Sequence, residues 1–157
     1  MKNRPPTLKL LLDTSFILPT LGIDTGEDTR QTLKKLANLK TEIHISRYTL
    51  LESLWVAAKL IKNQEFNSER FQLGLRSILE TGRYTKVDEN PQTFIQALRL
   101  YSLGHKDMVD NLLYTTSKTH SLKLLTLDTE LKDFITHQGL KDTTIFPNQI
   151  LQRKEHL

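Results

Sequence analysis

Five carboxylates in this chain fall where a fold of alternating strands and helices would bring side chains to one surface. Asp13 follows directly on the apolar run Leu8–Leu12, and Asp128 stands where a second apolar segment, Leu122–Leu127, stops. Asp107 and Asp110 open a helical stretch just upstream of that segment, and Glu52 lies early in another. Like charges packed together repel, so such a cluster requires protons or a cation. Oxygen-only donors suit a hard divalent ion. Thr14, Ser15 and Thr126 sit beside these acids and can donate hydroxyl hydrogen bonds to a carboxylate. Each acid also has a purely structural reading. Asp107 with Asp110, and Asp128 before Thr129, fit helix N-termini, where carboxylates satisfy free N–H groups and the helix dipole. Glu52 fits a solvated helix surface. Asp13, straight after a buried leucine run, has the fewest structural reasons to be charged.

Other chemistries find less support. The five histidines show neither HxH nor HExxH spacing, which argues against zinc. There is no GxSxG elbow, phosphate loop or GxGxxG. With no cysteine, disulfides, thiolate metal sites and a cysteine nucleophile are excluded.

Strands and helices must alternate to position the acids. Leu8–Leu12 reads as a strand buried on both faces. Phe16–Leu21 reads as a short helix, followed by a turn-rich loop around Gly22 and Gly26. Asp28 is placed to cap a helix over Thr29–Leu39, and Ile43 and Ile45 alternate in a second strand. Ser46 caps a helix over Arg47–Lys62, with Leu51, Leu54, Trp55, Ala58 and Ile61 as its apolar stripe. Further helices are expected at Asn67–Thr81, from Asn90-Pro91 to Leu103, at Met108–His120 and at Thr129–Gln138. Strands are expected at Tyr84–Val87, Leu122–Leu127 and near Thr143–Phe146, and a final turn at Asn148–Leu151. The order implies an α/β fold: a three-layer sandwich around a mostly parallel sheet of four to five strands. Residues 8–152 form the single domain, residues 1–7 a disordered tail and residues 153–157 a frayed end.

The bulk properties agree with a globular chain of 157 residues, 38% hydrophobic and 25% charged. The net charge of +4 weakly favours a polyanionic partner. Between Arg30 and Lys62 stand seven Lys and Arg against two Glu, a solvated helix face or a phosphate-contacting rim. Asp13 and Pro19 interrupt any signal-peptide pattern, and no run approaches the ~20 apolar residues of a membrane span. A cytoplasmic location is expected.

LLLDTSFIL, SRYTLLESL and above all VDNLLYTTSKTHSLKLLTLDTELKDF resemble the three acidic motifs of PIN-domain ribonucleases, the group that includes VapC-type toxins. The resemblance runs from Leu8 to about Phe146. It implies that Asp13, Glu52, Asp110 and Asp128 are the catalytic acids, with Thr126 as a nearby hydroxyl and Asp107 and Thr14 auxiliary. It also implies Mg²⁺ or Mn²⁺ as cofactor, with Asp13, Asp110 and Asp128 as its ligands, single-stranded RNA as substrate, a homodimer and, for a toxin, an antitoxin partner. Asn111, Tyr114, Thr115 and Thr116 depart from the Ala-rich helix usual in the family. A toxin, an rRNA-processing nuclease and an orphan PIN protein all share this pattern. The expected reaction is in-line hydrolysis of an RNA phosphodiester. Two alternatives remain open: a non-catalytic PIN-like module that binds RNA or protein, and an aspartyl-phosphate phosphatase or receiver domain built on Asp13. The second lacks a DxD and a suitably placed lysine.

Overall fold

A computed structural model describes residues 6–155 of the chain. Most of the expected N-terminal tail, residues 1–5, and the last two residues of the expected frayed end, 156–157, lie outside the described residues. Glu155 reaches Lys35 at 3.5 Å.

Five strands form one parallel sheet: β1 (Leu8–Leu12), β2 (Thr41–Ile45), β3 (Tyr84–Lys86), β4 (Lys123–Leu125) and β5 (Thr144–Ile145), in the order β3-β2-β1-β4-β5. Leu11 of β1 pairs with His44 on one side and Leu124 on the other, so β1 is the central strand. A strand that alternates its side chains between two covered faces must be apolar throughout, which is why β1 reads as a leucine run. Leu10 and Leu12 enter one core with Phe16, Ile17, Phe71 and Ile150, while Leu11 enters the other with Leu100, Leu113, Tyr114 and Ile135. Each fully buried leucine stabilises the fold by about 1.5–3 kcal/mol.

The helices are α1 (Thr14–Ile17), α2 (Glu27–Leu36), α3 (Arg47–Lys62), α4 (Ser68–Glu80), α5 (Pro91–Leu103), α6 (Met108–Thr119), α7 (Thr129–His137) and α8 (Pro147–Leu151), with a 3₁₀ turn at Leu18–Leu21 after α1. The first core draws on α1, α2, α3, α4 and α8, the second on α5, α6 and α7, giving the three layers. No helix among the described residues is long and apolar enough to cross a membrane.

Two sequence expectations are corrected. Gly26, at φ 113°, takes the cap position of α2, and Asp28 falls inside the first turn. The apolar stripe expected for α3 faces outward: Leu51, Leu54, Ala58 and Ile61 are exposed, and Trp55 is 68% exposed. The helix instead buries Thr49, Ser53 and Ala57. Small side chains let α3 approach α1 closely, and the hydroxyls of Thr49 and Ser53 return to backbone carbonyls of Ser46 and Thr49 at 2.6 and 2.7 Å. The bulky residues are thereby left on the free side.

The hydroxyl-rich α6 works in a similar way. Thr115 donates to the Thr93 carbonyl of α5 at 3.2 Å, Tyr114 to the Lys141 carbonyl at 2.6 Å, and Ser117 and Thr143 share a 2.6 Å bond. Buried hydroxyls with partners avoid the desolvation penalty that orphaned ones would carry.

Candidate metal centre

Strand order reverses at β1: β2 and β3 lie to one side, β4 and β5 to the other. The crevice outside the carboxyl ends of β1 and β4 is therefore the place where an α/β sheet of this kind receives ligands. Asp13 leaves β1 there. Its backbone N–H bonds the Leu125 carbonyl at 3.0 Å, its Oδ1 accepts from the Thr14 N–H at 2.7 Å, and its Oδ2 accepts from the Thr126 hydroxyl at 2.7 Å. Thr126 is fully buried, and its Oγ1 also accepts from the Asp128 N–H at 3.0 Å. One threonine thus ties the acid after β1 to the acid after β4.

Structural and functional readings coexist at the helix starts. Asp128 caps α7 by accepting from the Leu131 N–H at 3.1 Å, and Asp107 caps α6 by accepting from the Asp110 N–H at 3.1 Å. Capping uses one carboxylate oxygen of each and leaves the other available. The cap at Asp107 places Asp110 one turn on, half-buried, where it shares a hydrogen bond with Asp128. Glu52, on the second turn of α3, accepts a short hydrogen bond from the Thr14 hydroxyl. Thr14 therefore holds two acids, Asp13 through its N–H and Glu52 through its hydroxyl.

The electrostatics record how crowded these acids are. Burial pushes the Asp13 carboxyl up, against the lowering effect of the Thr126 and Thr14 hydrogen bonds, and the charges of Asp128 and Asp107 add to the rise. Glu52 is pushed up by burial and by Asp13 and Asp107, with the Thr14 bond opposing. Asp110 is pushed up to about 9 by burial, its bond to Asp128, and the charges of Asp13, Asp107 and Asp128. Asp128 goes the other way: the Asp110 bond and the α7 N–H groups hold it below the usual range despite its burial. Asp110 and Asp128 thus form one coupled pair in which both carboxyls do not readily ionise together.

Among the described residues, no Lys or Arg pairs with Asp13, Glu52, Asp107, Asp110 or Asp128. The basic residues of the segment from Arg30 to Lys62 are partly neutralised elsewhere, Arg30 by Asp24 and Glu27, Arg47 by Asp88 and Glu89. An all-oxygen donor set holding excess negative charge fits a hard divalent cation. Ligand atoms of Asp110 and Asp128 lie within 4.8 Å of each other and of a ring nitrogen of His105. Sequence patterns give no hint of His105, because it has no ligand-spaced partner. Its place comes from the end of α5, where Gly104, at φ 120°, reverses the chain and the His105 N–H closes on the Leu100 carbonyl at 3.1 Å.

The comparisons with known proteins agree with this architecture. The PIN domain model matches residues 10–135, most of the chain. Among solved structures, the chain is similar to a toxin–antitoxin complex from Klebsiella pneumoniae, at 19% identity and a TM-score of 0.52 over 85% of this chain and 97% of the other. It is similar to FitAcB from Neisseria gonorrhoeae, at 20% identity and a TM-score of 0.57 over 88% and 97%. It is also similar to VapBC2 from Rickettsia felis bound to a promoter DNA fragment, at 14% identity and a TM-score of 0.57 over 88% and 97%. At these identities the likeness is one of fold. No curated protein matches the sequence significantly. The match of the family model across both β1 and β4 settles the family: the chain belongs to the PIN-domain family.

Proposed function

We propose that the protein is a metal-dependent ribonuclease that hydrolyses phosphodiester bonds in single-stranded RNA and acts as the toxin of a toxin–antitoxin pair. One observation carries the catalytic part: acids from β1, α3, α6 and the β4–α7 turn converge at the switch point with no Lys or Arg among the described residues paired to them.

Asp13, Asp110 and Asp128 would hold Mg²⁺ or Mn²⁺, and Glu52 would complete the set or orient the attacking water. When bound, the ion supplies Lewis acidity, lowering the pKa of water and offsetting charge on the scissile phosphate. Thr126 keeps Asp13 and the backbone of Asp128 at a fixed separation, and Thr14 does the same for Asp13 and Glu52. Asp107 adds negative charge from the rim while capping α6. Purified protein is expected to cleave a single-stranded RNA oligonucleotide when Mn²⁺ or Mg²⁺ is added and to stop in EDTA. Intact RNA in a preparation that binds Mn²⁺ would favour a binding module without turnover.

The toxin assignment is supported by the likeness to structures described as toxin–antitoxin complexes and by the free apolar surfaces of the helices. Leu51, Leu54, Trp55 and Ile61 on α3, and Phe94, Ile95, Leu98 and Tyr101 on α5, are exposed. Tyr48 and Phe94 meet edge to face, with ring centroids 6.3 Å apart, and join the N-terminal ends of the two helices. Exposed apolar residues grouped on helix faces in this way are a common mark of protein contacts. A second copy and an antitoxin are the proposed occupants. Light scattering should give a dimer mass for the wild type and a monomer mass for Trp55→Glu combined with Leu98→Glu; a monomeric wild type would remove the homodimer.

A further inference from the structure

We propose that His105 supplies a nitrogen ligand to the metal ion of this site, so that the centre is a mixed nitrogen–oxygen one and favours Mn²⁺ over Mg²⁺. The inference rests on the metal-dependent reading above and sharpens it.

Three contacts hold His105, two of them to its ring. Its Nδ1 lies 2.7 Å from Oδ1 of Asn111, whose Nδ2 donates to the His105 carbonyl at 2.8 Å. Its ring also packs on Phe134, with centroids 5.2 Å apart. The two Asn111 bonds fix the tautomer. Asn111 is fully buried, and because its amide nitrogen serves a carbonyl, its oxygen is the atom that faces Nδ1. An amide oxygen only accepts, so Nδ1 carries a proton, and in its neutral form the ring presents the lone pair of Nε2. That nitrogen is the one free to meet an ion, and the ring contributes a ligand atom within 4.8 Å of Asp110 and Asp128 oxygens. Three ligands bound at about 2.1 Å to one ion stand roughly 3.0–3.6 Å from one another, so the three groups close on one ion by drawing in by about 1 Å.

A histidine that ligates a metal through one nitrogen while donating its other N–H to a fixed acceptor is the usual way a protein sets ring orientation and ligand basicity. Here the acceptor is the residue directly after Asp110, so one helix turn carries both a ligand and the support of another. The same contacts explain why a buried asparagine occupies an otherwise packed position of α6. Mg²⁺ demands oxygen donors and keeps its waters, whereas imidazole suits transition ions. A nitrogen at this position therefore shifts the preference towards Mn²⁺.

The test uses the full chain loaded with Mn²⁺. Pulsed electron paramagnetic resonance is expected to show the coupling of a directly bound ¹⁴N in the wild type and to lose it in His105→Gln. Isothermal titration should show the ratio of Mn²⁺ to Mg²⁺ affinity falling about tenfold in the same variant. Because His105 is only half-buried, His105→Gln is expected to fold, and its metal-free melting curve checks that it does. Mn²⁺ bound to the wild type without nitrogen coupling, coupling retained in His105→Gln, or an unchanged affinity ratio would each overturn the proposal and leave the carboxylate centre standing. A wild type that binds no Mn²⁺ would overturn the centre and the His105 ligand together.

Discussion

Asp110→Asn is expected to reduce metal-dependent RNA cleavage more than about 100-fold while leaving the metal-free fold as stable as before, or more so. The activity half follows from ligand loss, since even the outer partners of a metal site cost roughly 10–100-fold when removed. The stability half follows from the raised pKa of Asp110. Its folded pKa, pushed up to about 9, lies above the ordinary carboxyl value of 3.8, and Asp13 and Glu52 are raised in the same direction. The folded chain therefore binds more protons than the unfolded chain between these limits, and stability falls as pH rises through that interval. Asp128, held low, acts in the opposite sense and contributes stability that is lost only on acidification. In EDTA, the melting temperature should decline from about pH 5 to pH 9, and Asp110→Asn, a near-isosteric copy of the protonated acid, should flatten that decline. Mn²⁺ should reverse it in the wild type, because an ion replaces the proton more readily at higher pH. A decline of equal slope in Asp110→Asn would remove Asp110 from the origin of the effect. Full cleavage by that variant would remove it from the catalytic set.

How far such a site can be seen in a sequence depends on whether its geometry is local. Asp13 is legible because a leucine run of this kind forms a doubly buried strand, and the residue after such a strand lies at the sheet's edge. Asp107 and Asp110 are separable because capping has a fixed spacing: the side chain at the cap bonds the N–H three residues on. His105 is invisible in the sequence, because its partners are a backbone turn, an asparagine six residues later and a phenylalanine on α7, and no short pattern encodes that set. The face of α3 is hidden for a related reason. Helical periodicity finds an apolar stripe, but the stripe is buried only if nothing smaller packs better, and here Thr49, Ser53 and Ala57 allow the closer approach. Apolar periodicity reports amphipathicity; which side meets the sheet is a tertiary outcome. The outward stripe is then itself informative, since it is the surface through which partners are proposed to bind.

The largest stability loss is expected at a residue remote from the acids, Gly74. In an exposed helix, replacing glycine with alanine gains about 1 kcal/mol. At Gly74 the sign reverses, because an added Cβ would stand 2.0 Å from the Thr20 carbonyl oxygen and 2.8 Å from the Leu21 Cα. Both are backbone atoms, so no rotamer change relieves the clash. Thr20 and Leu21 close the 3₁₀ turn that follows α1, and Gly22 next to them, at φ 82°, would bring its own Cβ to 2.9 Å from the Arg70 Cβ. Two glycines thus bring α4 and this turn into contact, with Phe16, Ile17, Leu21, Phe71 and Ile78 buried around the junction. Forcing them apart opens the first core, and Gly74→Ala should cost about 3 kcal/mol or more. For a chain of this size that lowers the melting temperature by roughly 6–12 °C. Gln72→Ala, on the exposed side of the same helix, should change stability by less than about 0.5 kcal/mol. The damage would also reach the site. α1 begins at Thr14, which holds Asp13 and Glu52 together, so a shifted turn pulls on the residue that spaces two of the acids. Gly74→Ala should therefore lose Mn²⁺ affinity together with stability, whereas Asp110→Asn should lose affinity alone; a Gly74→Ala protein with wild-type melting would show that α4 does not rest on the turn.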